Sequence, residues 1–536
     1  MKTKLLFILL TVIFSFKDII AQPTFAKDIA PIIYNKCTNC HRPGEIGPMP
    51  FTNYNEVKTW APMVKFTTQT KAMPPWQTNP NFSRVMDENF LTDAEIQLIA
   101  DWVDAGSPYG NVIDEPPLPY FADGSVLGEP DLVLSFEDLY YHVGDNTDQY
   151  WYVVLPTGLT EDKYVKAVEM RPGNKELVHH ALFFQDTTGH ALATAESYTD
   201  AYGFPINYNG YGIGAPGNNV QYPGYVPGQK PKVFPDGTAQ LLSAGSDLVM
   251  QIHYAPTPVD ATDSSSINIF FADETEQIDR LVRDRVMLPP DLPGIPYLNF
   301  VLPAGEDSIY FKGTWNINRD LSLLSLSPHM HYLGTSWKVW LERPNGEIVN
   351  LVEIPEWDFN WQGDYYFRRM IVAPAGSKVI AEATYDNSAE NPYNPHNPPQ
   401  IVTWGDFTGD EMYYLPIYYV DYKDGDEDII FEEDDITSLN ELGIYTYQNK
   451  IYNIHPNPAS GGNVQLGFSI ERGGPVEVSV YDMNGRLVRN VRKGEYYGMG
   501  QHVLNVDVNN LSSGMYMIQV NGKDFKMSEK LIVSER

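Results

Sequence analysis

Ser327-Pro328-His329-Met330-His331-Tyr332-Leu333-Gly334, or SPHMHYLG, is the stretch around which the chain is read. In an extended strand, residues two apart point to one face, so the imidazoles of His329 and His331 can converge on one metal ion. Such a pair suits copper, zinc, iron or nickel, and a third ligand has to narrow the choice. Met412, in GDEMYYL, is the candidate. A thioether is a poor ligand for a hard cation and a good one for Cu(I), so His329, His331 and Met412 together favour a copper that visits the reduced state.

Composition fits a β scaffold for these ligands. A chain of 536 residues is too long for one core and implies several domains. Its 35 Tyr, 41 Gly and 41 Pro favour many short strands and turns over long helices. The formal charge of −32 argues against nucleic acid or anionic lipid as a partner, because either would repel the protein. Residues 1–21 have the layout of a secretory signal peptide: Lys2 and Lys4, an apolar run from Leu5 to Phe16 too short to span a bilayer, then a polar step to Ala21.

Cys37 and Cys40 are the only two cysteines, so an exported chain of this size has no disulfide framework. They stand in Cys37-Thr38-Asn39-Cys40-His41, the CxxCH signature of c-type haem attachment, with His41 as an axial ligand to the iron. Thr92, followed by Asp93 and Glu95, starts a helix whose Ile96, Ile99, Trp102 and Val103 share a face, and Gly106 ends it. This resembles the C-terminal helix of a small class I cytochrome c, with its N-terminal partner near Phe25 to Tyr34. Met73, in KAMPPW, is the expected sixth ligand in preference to Met49 and Met63, since Pro74-Pro75 stiffen the loop that presents it. A cytochrome c domain is thus expected over 22–112, bounded by the Pro-rich stretch Ser107 to Pro119.

Beyond it the pattern alternates as strands do, from Leu132-Val133-Leu134-Ser135-Phe136 onward, and a β-sandwich is expected. Adjacent His179 and His180 begin the apolar run LVHHALFF. Neighbours in a regular strand face opposite ways, so both reach one metal only at a bulge or a strand end. His253, with Gln251 on the same face, sits in DLVMQIHY. Any one of these is commonly a satisfied core histidine. Three clusters among only 11 His, all in apolar β segments that should avoid polar groups, suggest ligands.

HHALFF, QIHY, HMHYLG and DEMYYL, in that order from about Leu132 to Val420, resemble the ascorbate-dependent copper type II monooxygenases, which include the peptidylglycine hydroxylating enzymes and dopamine β-hydroxylase. The resemblance implies two jelly-roll-like β-sandwich domains, 120–285 and 286–422, each with a mononuclear copper, facing each other across a solvent-filled cleft. It implies that His179, His180 and His253 hold an electron-storing copper, and that His329, His331 and Met412 hold the one that binds O2. C–H hydroxylation of a small organic substrate would follow, fed by an external electron donor through the haem. Where the peptidylglycine enzymes clamp a peptide carboxylate, this chain has Ser327, Tyr414 and Pro416, so a C-terminal glycine peptide is not the expected substrate.

Asp421 to Asp435 carries nine acidic residues in fifteen and is expected to open an acidic linker, 423–447. The remainder, 448–536, has alternating runs around Asn484-Gly485 and is expected to be a small Ig-like sandwich. It resembles the C-terminal sorting domain of type IX secretion cargo, which implies that machinery as a partner and a secreted or cell-surface location. The alternative to an enzyme is a non-catalytic surface haem and copper electron-transfer or copper-binding protein.

Overall fold

The computed structural model describes residues 22–119, 121, 124–136, 139–197, 204–205, 220–288, 300–432 and 449–534, apart from 456, 461, 471–473, 484, 498–499 and 524. The expected signal peptide, 1–21, and the linker from 433 onward lie outside the described residues. Two compact units are formed, Met1–Pro75 with Asn89–Tyr120, and Trp76–Glu88 with Phe121–Arg536.

The first unit is helical. Phe25–Ile29 and Ala30–Lys36 run on as one irregular helix, followed by Tyr54–Thr59, Ala61–Gln69 and Asp93–Asp104. The last has the expected start: Thr92 Oγ1 accepts from Glu95 N–H while the Glu95 carboxylate accepts from Thr92 N–H, which satisfies two donors that a helix end leaves free. Phe25, Ile33, Val57, Ile99 and Trp102 share one core.

The second unit is mainly β. Its first sandwich pairs one sheet, Leu132–Ser135, Ser266–Phe271, Lys163–Arg171, Thr238–Leu242 and Arg280–Leu281, with another, Phe204–Pro205, Gln149–Pro156, Asp247–Tyr254, Val178–Asp186 and Gln221–Tyr225. Val165, Phe183, Met250 and Ile252 lie in the core they share. The chain crosses to the second sandwich at Val282. There Arg283–Met287, Leu415–Asp421, Leu321–Leu326 and Tyr365–Ala373 form one sheet, and Ile309–Asn316, Lys378–Tyr385, Gly334–Glu342 and Ile348–Ile354 the other. Between the sandwiches, Tyr414 Oη donates to Gln221 Oε1 at 2.6 Å and Tyr418 Oη to the Tyr222 carbonyl at 3.2 Å, both buried.

Two boundaries differ from expectation. The helical unit does not run unbroken over 22–112, because Trp76–Glu88 belongs to the β unit. Nor is 423–432 a solvated linker. Asp426 is fully buried, its carboxylate taking Arg280 Nε at 2.7 Å and Ser322 Oγ at 2.6 Å, so a partly buried cation compensates the carboxylate despite the local excess of acid.

From Lys450 a third set of strands forms a three-stranded and a four-stranded sheet around Val464, Phe468, Val478 and Ile518. The strands Gly474–Asp482 and Leu487–Tyr497 make the hairpin expected at Asn484-Gly485, although Asn484 itself lies outside the described residues.

Candidate metal centre

The central strands Val178–Asp186 and Asp247–Tyr254 are antiparallel, so the start of one meets the end of the other and His180 pairs with His253. The ladder jumps between Val178↔Tyr254 and His180↔His253, the irregularity that adjacent histidines need if both are to face one point. His179 Nδ1 and His180 Nδ1 are 3.1 Å apart, and His253 Nδ1 is 3.4 Å from His180 Nδ1. Nitrogens about 2.0–2.1 Å from a shared tetrahedral ion would stand roughly 3.3 Å from each other, so the trio fits a metal. His253 Nε2–H donates to the Asp148 carboxylate at 2.5 Å, which leaves its Nδ1 bare toward the other two.

The second set lies past a strand end. Leu321–Leu326 stops short of it, and His329 is extended, exchanging backbone hydrogen bonds with Tyr414 at 2.8 and 3.1 Å. Alternation survives without the full ladder: Met330 is buried in the sandwich core, while the His329 and His331 rings lie 5.1 Å apart at 86° on the other side. His329 Nδ1–H donates to Gln362 Oε1, and His331 Nδ1–H donates to the Asp410 carbonyl at 3.1 Å, so each presents Nε2. Glu411 joins this loop to Met412. Its buried carboxylate accepts the backbone N–H of His331, of Leu333 at 2.9 Å and of Met412 at 2.8 Å.

His180, His253, His329, His331 and Met412 line one cavity, partly open to solvent, together with Tyr150, Leu182, Gln251, Phe359, Asp406 and Tyr414. The two sets are neighbours, with the His180 and His329 rings 6.0 Å apart. The wide cleft that the resemblance implies is therefore not what these residues form. Phe359 sits among them, 5.5 Å from the His179 ring and 5.7 Å from that of His331.

Burial keeps the imidazoles neutral. It pushes His179 down to about 3 and His329 to about 4, and holds His180, His331 and His253 below the usual range. Neutral imidazoles keep the lone pairs a metal needs. Burial works the other way on carboxyls, raising Asp406 to about 6 and Glu411 to about 8. A sign follows for stability. The unfolded chain takes up protons at its histidines below about pH 6.5, whereas the folded metal-free protein resists until about pH 4, so unfolding becomes easier as pH falls through that window. Burial acts oppositely on Asp406, Glu411, Asp247, Asp284 and Asp364, five carboxyls against seven lowered imidazoles once His41 and His142 are counted. Urea denaturation of the metal-free protein should therefore show stability falling from pH 6.5 to 4.5, each histidine contributing about 1 kcal/mol per pH unit; a flat profile would contradict the neutral cluster.

In the helical unit, Cys37 and Cys40 are free and half-buried, and burial raises the thiol of Cys37 to about 12. His41 Nδ1–H donates to the Met49 carbonyl at 3.0 Å, leaving Nε2 free, and the ring stacks on Phe51 with centroids 4.6 Å apart. A Cβ at Gly47 would stand 2.8 Å from His41 Nδ1, so only glycine lets the chain pass this close. Met73, half-buried, follows Ala61–Gln69, its N–H on the Thr67 carbonyl at 3.1 Å; Met63 is exposed.

Comparison with known proteins defines one part of the chain. Residues 453–534 match the secretion system C-terminal sorting domain. The protein is accordingly an exported one, carried to the outer membrane or cell surface by the type IX machinery that such domains address. No curated protein matches. Among solved structures, the chain is similar to β-glucuronidases from Faecalibacterium prausnitzii (13% identity, TM-score 0.13, 49% of this chain and 47% of that one) and Parabacteroides merdae (15%, 0.14, 46% and 32%). That from Ruminococcus gnavus is similar at 11%, with TM-score 0.13 and 47% and 44% coverage. The chain spans under half the length of each.

Proposed function

We propose that this is a copper-dependent monooxygenase, hydroxylating a C–H bond of a small organic substrate with O2 and drawing electrons from an external donor through its own c-type haem. In this proposal the helical unit is a cytochrome c domain and the two larger sandwiches are jelly-roll-like copper domains. One observation carries it: four neutral imidazoles and one thioether line a single cavity, and a fifth imidazole, that of His179, stands with His180 and His253. When bound, copper would supply one-electron redox chemistry, with O2 activation at the site that has the sulfur ligand.

The protein's own part is to place and protect these donors. Gln362 and the Asp410 carbonyl hold the Nδ1 protons of His329 and His331, turning their Nε2 atoms to the metal. Asp148 does the converse for His253. Tyr150, Leu182 and Phe359 wall the cavity with apolar surface. Asp406, raised to about 6, can hold or release a proton there near neutral pH. Cys37 and Cys40 would carry the haem, with His41 and Met73 as its axial ligands.

Purified protein should contain two coppers and one haem per chain, and should consume O2 with an artificial reductant only when copper is loaded. Protein that takes up haem but no copper would overturn the proposal. The proximity of the two histidine sets favours one other function, a non-catalytic electron-transfer or copper-binding protein, for which O2 uptake would be absent with both metals in place.

A further inference from the structure

Trp76–Glu88 is drawn from the middle of the helical unit's sequence and lies along the second sandwich as a strap. Asn79 N–H donates to the Glu353 carbonyl at 2.8 Å, Ser83 Oγ to that of Leu351 at 2.6 Å, and Met86 N–H to that of Tyr366 at 2.8 Å. Val85 is fully buried in the sandwich core, and Trp76 meets Tyr365 edge-on at 6.1 Å. These contacts are enough to anchor the strap.

Its first turn does something more specific. Gln77 Nε2 donates to two carbonyls at once, of Asp358 at 2.7 Å and of Trp361 at 2.6 Å. The loop so gripped carries Phe359, which packs on His179 and His331, and Gln362, which fixes His329. Gln77 also stands four positions after Met73 in the chain. From Met73 the route to His329 is therefore covalent, broken only by the hydrogen bond to Trp361 and that between Gln362 and His329.

We propose that this strap is the electron path from the haem to the copper held by His329, His331 and Met412, with Gln77 as its positioning residue. The proposal rests on the chain carrying both metals. In each transfer haem Fe(II) becomes Fe(III) and Cu(II) becomes Cu(I); one electron moves and no bond or proton is exchanged. Bonded atoms couple donor and acceptor better than an equal span of empty space, which gives the Gln77 link its importance.

The test uses full-length protein loaded with haem and Cu(II), reduced at the haem without O2, with haem reoxidation followed by stopped-flow absorbance and copper by electron paramagnetic resonance. Gln77→Ala should leave the haem spectrum and copper content unchanged, alter the copper hyperfine splitting, and slow reoxidation on the order of tenfold or more, as loss of a group that orients a metal ligand does. Gln77→Arg, which keeps N–H donors, should recover much of the rate. Asn79→Ala removes the Nδ2 donor to the Glu353 carboxylate at 2.6 Å, which loosens the strap away from the loop, and should leave the rate alone. Reoxidation at the wild-type rate in Gln77→Ala, or equal slowing in Asn79→Ala, would overturn the path. Wild-type protein that binds no copper would instead sink the copper proposal itself, and metal content shows this before any variant is made.

Discussion

On the copper proposal, Met412→Ile should yield a folded protein that still takes up copper but consumes O2 at least about 100-fold more slowly, since even the outer partners of metal ligands cost roughly 10–100-fold when lost. Met412 is buried beside the cavity, and isoleucine nearly conserves its volume, so the cost in stability should stay under about 1.5 kcal/mol. The change removes sulfur and little else. His329 and His331 keep their Gln362 and Asp410 supports, and two imidazoles suffice to retain Cu(II). On the copper proposal, what is lost is the soft donor that would favour Cu(I), the state that would take up O2. Paired measurements of copper content and O2 consumption decide the matter: unchanged consumption would transfer weight to the non-catalytic alternative.

Glu411→Leu should be the most destabilising single change in the site. The carboxylate sits at zero exposure and collects N–H groups from the His331 loop and from Met412 itself. An apolar residue leaves three buried donors without acceptors, at about 1 kcal/mol or more apiece, hence about 3 kcal/mol in all. Glu411→Gln keeps one acceptor oxygen and should cost less. Denaturant midpoints of the metal-free proteins would show this order, and a Leu variant as stable as wild type would mean the N–H groups find other partners. Copper at the sulfur-bearing site should also be lost first in the Leu variant, because one side chain sets the spacing between both ligand loops.

The candidate ligands stood out in the sequence for a physical reason. A histidine in an apolar strand is costly unless something compensates, so His179, His180, His253, His329 and His331 announce themselves against their neighbours. Even the irregularity at His179 follows from strand alternation. Their supports were not legible. Asp148, Gln362 and Phe359 lie in polar or mixed loops with no period, and their meaning comes only from what lies across the fold. Glu411 was the nearest to being readable, an acid directly before the candidate Met412 and the run Tyr413-Tyr414-Leu415. The acidic stretch misled because a charge count does not see Arg280, 146 residues away from Asp426, which makes burial of that carboxylate possible. Nor could the sequence place the two histidine sets 6.0 Å from each other, since that depends on how Tyr414 and Tyr418 seat one sandwich on the other.

The strap also bears on how such a protein can be inherited. Val85 fills a place in the β core from a position that the chain reaches before the helical unit is finished. A recombination joint anywhere between Asn89 and Leu132 would hand the sandwiches on without Val85 and leave the strap in the helical fragment without the core it packs into. A single crossover there cannot part the helical unit from the sandwiches without taking Val85 out of the core it fills.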